Sequence, residues 1–182
     1  MHAVVRNGLV FGLVLLLFAP LGQAWAVTAA VGVAAQAVGK PAPEVSLPSL
    51  RGNGPVRLAD YRGKVVYLDF WSSWCAPCRR AMPHLDALRQ EFAREDFEVV
   101  GVNVDLLADD ARQFLEQVPV SYPIGRDLGG RAAEQFGVAV LPTLFVIDRG
   151  GVVREAFRGG AVEAFDELRA TVARLIEERE VQ

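Results

Sequence analysis

The sequence predicts an α/β domain, a sheet sheathed by helices, and three observations predict it. Val65–Trp71 is a near-continuous apolar run, as expected of a strand covered on both faces in a parallel sheet. Residues 76–92 follow at once and place Ala81, Leu85, Leu88 and Phe92 on one helical face, with Arg79, Arg80, Asp86 and Arg89 mostly off it. At the junction lies Trp71-Ser72-Ser73-Trp74-Cys75-Ala76-Pro77-Cys78, which holds both cysteines of the chain in a C-x-x-C spacing.

Ahead of this domain, residues 1–39 carry Arg6 as their one charge. Residues 8–19 are an apolar block broken by Pro20 and Gly22 and followed by Ala24-Trp25-Ala26, a small-x-small pattern. The segment reads as a secretory signal peptide over residues 1–26, cleaved after Ala26. Its apolar block is shorter than the roughly 20 residues of a spanning helix, although the uncharged stretch through Val38 leaves an uncleaved membrane anchor as the alternative. Residues 27–39 form an Ala- and Val-rich tether, and residues 40–182, about 140 of them, make one domain. The net charge is −3 and the arginines are scattered among carboxylates rather than clustered, so nothing points to a nucleic-acid partner. Two cysteines in an exported chain imply that disulfides are permitted but that the fold is not built on them.

Within the domain, Lys40-Pro41-Ala42-Pro43 and Val45-Ser46-Leu47-Pro48 read as an extended lead-in, too rich in proline for a central strand. Gly52-Asn53-Gly54-Pro55 is a turn and residues 58–63 a short irregular connection. Pro83 should bend the helix that follows the cysteines. Residues 97–104 form the next strand, and residues 108–118 a helix whose Asp109 and Asp110 suit its positive N-terminal end. A short strand over 122–124 precedes a short helix over 130–136, capped by Gly137. Residues 144–148 and 152–157 make a hairpin around Arg149-Gly150-Gly151. A last helix over 161–178 sets Phe165, Leu168, Val172 and Leu175 at core spacing, and there are no internal repeats.

Cysteines two residues apart can close a disulfide across one helical turn. If Cys75 begins the helix, free backbone N–H groups and the helix dipole favour its thiolate. Zinc normally takes four nitrogen or sulfur ligands, and His2 and His84 leave such a site short. A purely structural bridge closes too small a loop to remove much chain entropy. Redox exchange is the favoured reading: Cys75, exposed at the helix N-terminus, attacks a partner disulfide, and Cys78, one turn inside, resolves the mixed disulfide. Pro77 stiffens the first turn, where a missing N–H costs nothing. Trp74 reads either as a shield over the pair or as a partly exposed core aromatic. Asp69 sits in a strand covered on both faces, where an ionised, unpaired carboxylate is costly, so it has either a partner or a raised pKa.

Asp69-Phe70-Trp71, Trp74-Cys75-Ala76-Pro77-Cys78-Arg79 and Leu141-Pro142-Thr143 together resemble the thioredoxin superfamily. From about Lys40 onward the chain looks most like its extracytoplasmic TlpA/ResA-like branch. The resemblance implies a thioredoxin-like central mixed sheet flanked by helices, with an N-terminal extension and a helix-strand insertion over about residues 106–127. It implies that Asp69 moves the proton of Cys78. Two departures bear on that role: where thioredoxins carry a lysine on the neighbouring strand the matching position is Gly101, and where ResA-like proteins often carry a helix glutamate this chain has Ala81. Asp69 is therefore expected to replace that glutamate as acid and base, and to stay protonated to higher pH. Pro142 matches a cis-proline that faces the disulfide and frees the backbone of Leu141, beside Thr143, to pair with a substrate peptide. An ordinary strand-opening proline is the alternative. The implied activity is thiol-disulfide exchange with protein dithiols and disulfides, without cofactor or metal, at the outer face of a bacterial inner membrane. Its implied direction is reductive, toward cytochrome c apoproteins or copper-site assembly proteins, with electrons from a membrane donor. A general thiol oxidase would use the same residues, and a Cu(I)-handling module is a further alternative.

Overall fold

The computed structural model describes residues 37–178, apart from residue 53 and residues 160–164. The expected signal peptide and most of the tether lie outside the described residues. Among the described residues, seven strands and four α-helices follow in order: β1 (Ser46–Pro48), β2 (Pro55–Arg57), β3 (Val65–Trp71), α1 (Ala76–Glu91), β4 (Phe97–Asn103), α2 (Ala108–Gln117), β5 (Ile124–Arg126), α3 (Arg131–Gln135), β6 (Thr143–Ile147), β7 (Val153–Arg158) and α4 (Phe165–Glu177). The main sheet has the order β5-β4-β3-β6-β7; β3, β4 and β5 are parallel, whereas β6 runs antiparallel to β3 and β7 to β6.

β3 and β4 are the central pair, and all seven residues of each are buried. Alternation sorts their side chains to two sides. Val65, Tyr67 and Trp71 join the cluster formed with Leu85 and Leu88 of α1, Phe114 of α2 and Leu168 and Val172 of α4. Val66, Leu68 and Phe70 join Ala132 and Phe136 near α3 and Val45, Leu47 and Val56 of the lead-in. The result is a mixed sheet between two apolar layers, as the sequence predicts.

The boundaries differ where proline and glycine intervene. The short strand expected at 122–124 begins only at Ile124: Pro123 has no N–H for the ladder, although its carbonyl accepts from Gly101 N–H at 2.9 Å. The lead-in is also more ordered than a proline-rich extension suggests, because β1 and β2 pair antiparallel as a separate two-stranded sheet. Its Leu47 packs so closely on β5 that a Cβ at Gly125 would lie 2.6 Å from Leu47 Cβ. α1 runs unbroken through Pro83, and α3 closes on Gly137, whose φ of 65° gives the expected cap. Residues 161–164 of the expected last helix lie outside the described residues.

Candidate active site

β3 delivers the chain to the edge of the sheet at Trp71, and Cys75 is the N-cap of α1, with extended φ and ψ of −84° and 97°. Its sulfur accepts the Cys78 N–H at 3.2 Å, so one of the helix's free N–H groups points at the reacting atom. Cys75 and Cys78 form a disulfide with a Cα–Cα separation of 5.3 Å. Pro77 stands exposed in the first turn, where its missing N–H is harmless.

Two expectations need correction. Cys75 is expected to be exposed at the helix tip, yet in the disulfide it is only 4% exposed, and Cys78 1%. Both sulfurs belong to the same apolar cluster as Trp71, Ala81 and Met82, which buries them. Trp74, expected either as a shield or as a partly exposed core residue, is 73% exposed and so is not part of the core.

The loop between β3 and α1 is held by a carboxylate that sequence reasoning missed. Asp105, itself buried, accepts Ser73 N–H at 2.9 and 3.1 Å, Ser73 Oγ at 3.1 Å and Asn103 Nδ2 at 2.8 Å. Asn103 faces Trp71 across the parallel β3–β4 ladder, which is why the end of β4 can clamp the cysteine loop. The available signal was Asn103-Val104-Asp105, two polar residues alternating out of an apolar strand.

The Leu141–Pro142 bond is cis. Thr143 pairs with Phe70 in the β3–β6 ladder, which sets this loop beside the cysteine loop at the same sheet edge. The buried Thr143 hydroxyl donates to Val140 O at 2.7 Å, and Pro142 O accepts from Gly159 N–H at 2.9 Å.

Asp69 faces Gly101 on one side and Leu144 on the other and is 1% exposed. Neither of its oxygens has a hydrogen-bond partner, and burial pushes its carboxyl up to about 7. The three other buried carboxylates among the described residues are all satisfied: Glu98 by Arg89, Asp105 as above, and Asp127 by Ala132 and Ala133 N–H. Asp69 is the exception. A side chain at position 101 would be crowded, because a Cβ there would sit 3.1 Å from Ile124 Cγ1 and 3.2 Å from both Trp71 Nε1 and Tyr122 Cε2. The Tyr67 and Tyr122 hydroxyls are also buried without partners; burial first, and the Asp69 charge second, hold both far above the usual tyrosine range. Ala81 is buried in the cysteine cluster, so the position of the helix glutamate is apolar here. His84, the remaining histidine of the domain, packs its ring 5.6 Å from that of Phe165.

Comparison with known proteins gives concordant findings. Residues 38–156 match the model of the AhpC/TSA family. The chain is 37% identical over 147 residues to the thiol-disulfide oxidoreductase ResA of Geobacillus thermodenitrificans, covering 81% of this chain and 84% of that relative. It is 38% identical to ResA of Geobacillus kaustophilus over 69% of this chain and 71% of that one. Among solved structures, a candidate thiol:disulfide interchange protein DsbE from Chlorobium tepidum is similar at a TM-score of 0.70 and 37% identity, over 76% of this chain and 97% of that one. A secreted thiol-disulfide isomerase from Corynebacterium glutamicum is similar at a TM-score of 0.65 and 27% identity, over 74% and 84% respectively.

Proposed function

The chain belongs to the thioredoxin-like AhpC/TSA family and is a thiol-disulfide oxidoreductase of the ResA type, and from that premise we propose that Cys75 is its nucleophile, Cys78 its resolving thiol and Asp69 the proton carrier between them. In the reduced protein the Cys75 thiolate attacks a partner disulfide; an S–S bond to Cys75 forms, the partner's bond breaks, and the partner's leaving sulfur takes a proton. Asp69 then accepts the Cys78 proton, the Cys78 thiolate attacks Cys75, and the Cys75–Cys78 disulfide forms as the partner leaves with its second sulfur reduced. The two electrons pass from the Cys75–Cys78 dithiol to the partner. The observation that carries this reading is the Cys78 N–H aimed at the Cys75 sulfur, since a donor in that place stabilises the thiolate in both attack and departure. A carboxyl poised at about 7 is suited to take and return a proton near neutral pH.

The setting follows the resemblance. The protein is exported by its N-terminal segment, cleaved or retained as an anchor, and works outside the cytoplasm. There it draws electrons from a membrane donor and reduces protein disulfides such as those of cytochrome c apoproteins or copper-site proteins. The secreted relative from Corynebacterium glutamicum supports that location. The backbone of Leu141, with Trp74, Pro77, Pro142 and Thr143 around it, receives the partner's segment. Insulin reduction coupled to a dithiol donor tests the activity: wild-type protein is active, Cys75→Ser is inert, and equal activity of that variant would overturn the assignment. Equilibration with glutathione tests the direction. A Cys75/Cys78 potential below its poise of about −220 to −260 mV supports a reductase, and one well above it an oxidase.

A further inference from the structure

We propose that Asp105 is a positioning residue for the exchange reaction: by fixing Ser73 it keeps Cys75 at the tip of α1, with its sulfur on the Cys78 N–H, and so sets how readily that thiol ionises. The inference rests on the thiol-disulfide reading above and adds to it a residue outside the C-x-x-C motif. Cys75 owes its donor to its place as N-cap, because a cysteine displaced from that place leaves the Cys78 N–H without its sulfur acceptor. An N–H held on a thiolate is a charge-assisted hydrogen bond, which is among the stronger ones. The place of Cys75 depends in turn on Ser72, Ser73 and Trp74, the three residues between the end of β3 and the cap.

Those three residues have few holds of their own. The Trp74 side chain is exposed, the Ser72 hydroxyl is buried without a partner, and the Cys75 N–H donates to Ser72 O at 3.2 Å, a contact inside the loop itself. Ser73 supplies the tie to the rest of the fold, since its N–H and its hydroxyl both donate to the buried Asp105 carboxylate. That carboxylate is braced from β4: Asn103 Nδ2 donates to it at 2.8 Å, and the Asp105 N–H donates back to Asn103 Oδ1 at 3.2 Å. The Val104 N–H donates to Trp71 O at 3.0 Å, which carries the β3–β4 pairing up to the point where the loop begins. The loop before Cys75 is thus seated on β4 through one side chain.

A carboxylate acts on a neighbouring thiol in two opposite ways. As a charge it disfavours the thiolate; as a clamp that keeps a donor on the sulfur it favours it. Substitution separates the two. In Asp105→Asn the amide oxygen accepts from Ser73 N–H and Asn103 Nδ2, while the amide nitrogen donates to the Ser73 hydroxyl, which turns from donor to acceptor. Asparagine therefore keeps the clamp without the charge, and alanine loses both. The other charged groups about the loop are Arg79 and Arg80 of α1, Asp110 of α2, which lines one cleft with Ser73 and Arg79, and Asp69 of β3. The cis-proline loop, residues 140–143, carries none. All four are the same in every variant, so differences between variants report the clamp alone.

The test is the pH dependence of Cys75 alkylation by iodoacetamide in the reduced full chain, followed on the peptide that carries Cys75, with folding checked by circular dichroism. In Asp105→Ala the midpoint moves up by about one pH unit, a thiolate fraction about 10-fold smaller in acid, whereas Asp105→Asn stays at the wild-type midpoint or falls below it. An alanine midpoint equal to wild type leaves Asp105 with a structural role only and overturns the proposal. Midpoints that move together in the two variants overturn it too: a common fall makes the carboxylate a mere charge, and a common rise means that the retained hydrogen bonds position nothing. If Asp105→Ala does not fold, Ser73→Ala decides, because it gives up only the hydroxyl contact. Its thiolate fraction in acid falls about 2-fold, and an unchanged or larger fraction overturns the clamp. Oxidised glutathione keeps the two readings apart: if wild-type protein fails to reduce it, the exchange chemistry itself fails, whereas normal reduction with unmoved midpoints sinks only the positioning role.

Discussion

Asp69 has two oxygens and no donor for either, and this decides how its charge enters the stability of the fold. Its carboxyl titrates at about 7 when folded against an ordinary 3.8. The contribution of the neutral carboxyl is fully present below pH 3.8; it begins to be lost as the unfolded chain ionises and is gone once pH has passed through the folded value near 7. The difference amounts to about 4 kcal/mol. Asp69→Asn should therefore match wild-type stability in denaturant titrations at pH 4 and exceed it by several kcal/mol at pH 8. The same variant should slow release of a trapped Cys75 mixed disulfide at neutral pH, where wild-type Asp69 accepts the Cys78 proton. Equal rates would leave Asp69 with a structural role only. Sequence alone reveals Asp69, because a carboxylate inside an apolar strand is conspicuous, and the resemblance to thioredoxins pointed to Gly101 as its neighbour on the next strand. Tyr122 was not legible, because an aromatic beside a proline looks like ordinary core; the Asn103-Val104-Asp105 alternation marks Asp105 as out of place, but its role as a clamp follows only when β4 lies parallel to β3 and brings Ser73 within reach.

At the level of elements, α1 must be seated on the sheet for Cys75 and Cys78 to keep their places, and a buried ion pair does part of the seating. Arg89 of α1 pairs through two nitrogens with Glu98 of β4, and both are almost fully buried. Arg89 also donates to Ser121 Oγ at 2.9 Å, and Asp86, one turn earlier, accepts Ser121 N–H at 2.7 Å. A buried pair contributes little net stability, but removing one partner strands the other charge at a cost of about 3–5 kcal/mol. Arg89→Leu should thus destabilise the fold by about 3 kcal/mol, while Arg89→Leu/Glu98→Leu should be more stable than the single variant; urea midpoints of the three proteins check this. If the double variant is the less stable, the pair acts as more than a mutual cancellation of charge. The sequence placed Arg89 mostly away from the apolar face, and nothing in a helical wheel announces that its partner lies on a strand. Long elements with strong periodicity were readable, β3 to the residue. β1 and β2, three residues each, carry too little pattern to reveal that they pair.

Across the whole molecule, the start of the lead-in, residues 39–42, and the disulfide occupy opposite ends. β3 runs toward the cysteine loop, β6 runs back from it, and the β6–β7 turn therefore lies at the far end. There Gly39 N–H donates to Val153 O at 2.8 Å, Val153 N–H to Lys40 O at 2.9 Å and Ala42 N–H to Gly151 O at 2.8 Å. A chain held to a membrane through residues preceding Ala37 would be tethered at this end and would turn its cysteines away from the bilayer, toward partners in the surrounding compartment. The same geometry separates stability from chemistry. A protein beginning at Val45 lacks the three backbone hydrogen bonds that fasten this segment to Gly151 and Val153, each contributing about 1 kcal/mol, along with the exposed Glu44 partner of Arg62 and the buried Ala42 side chain. Compared with a protein beginning at Ala37, it should lose about 3 kcal/mol in a denaturant titration while reducing oxidised glutathione within about 2-fold of the same rate, since neither the Cys75 N-cap nor the Asp105 clamp touches the missing residues. A matching collapse of rate and stability would mean that the far end of the sheet controls the reacting end. Stable protein with a lost rate would mean instead that residues 37–44 act on the site directly.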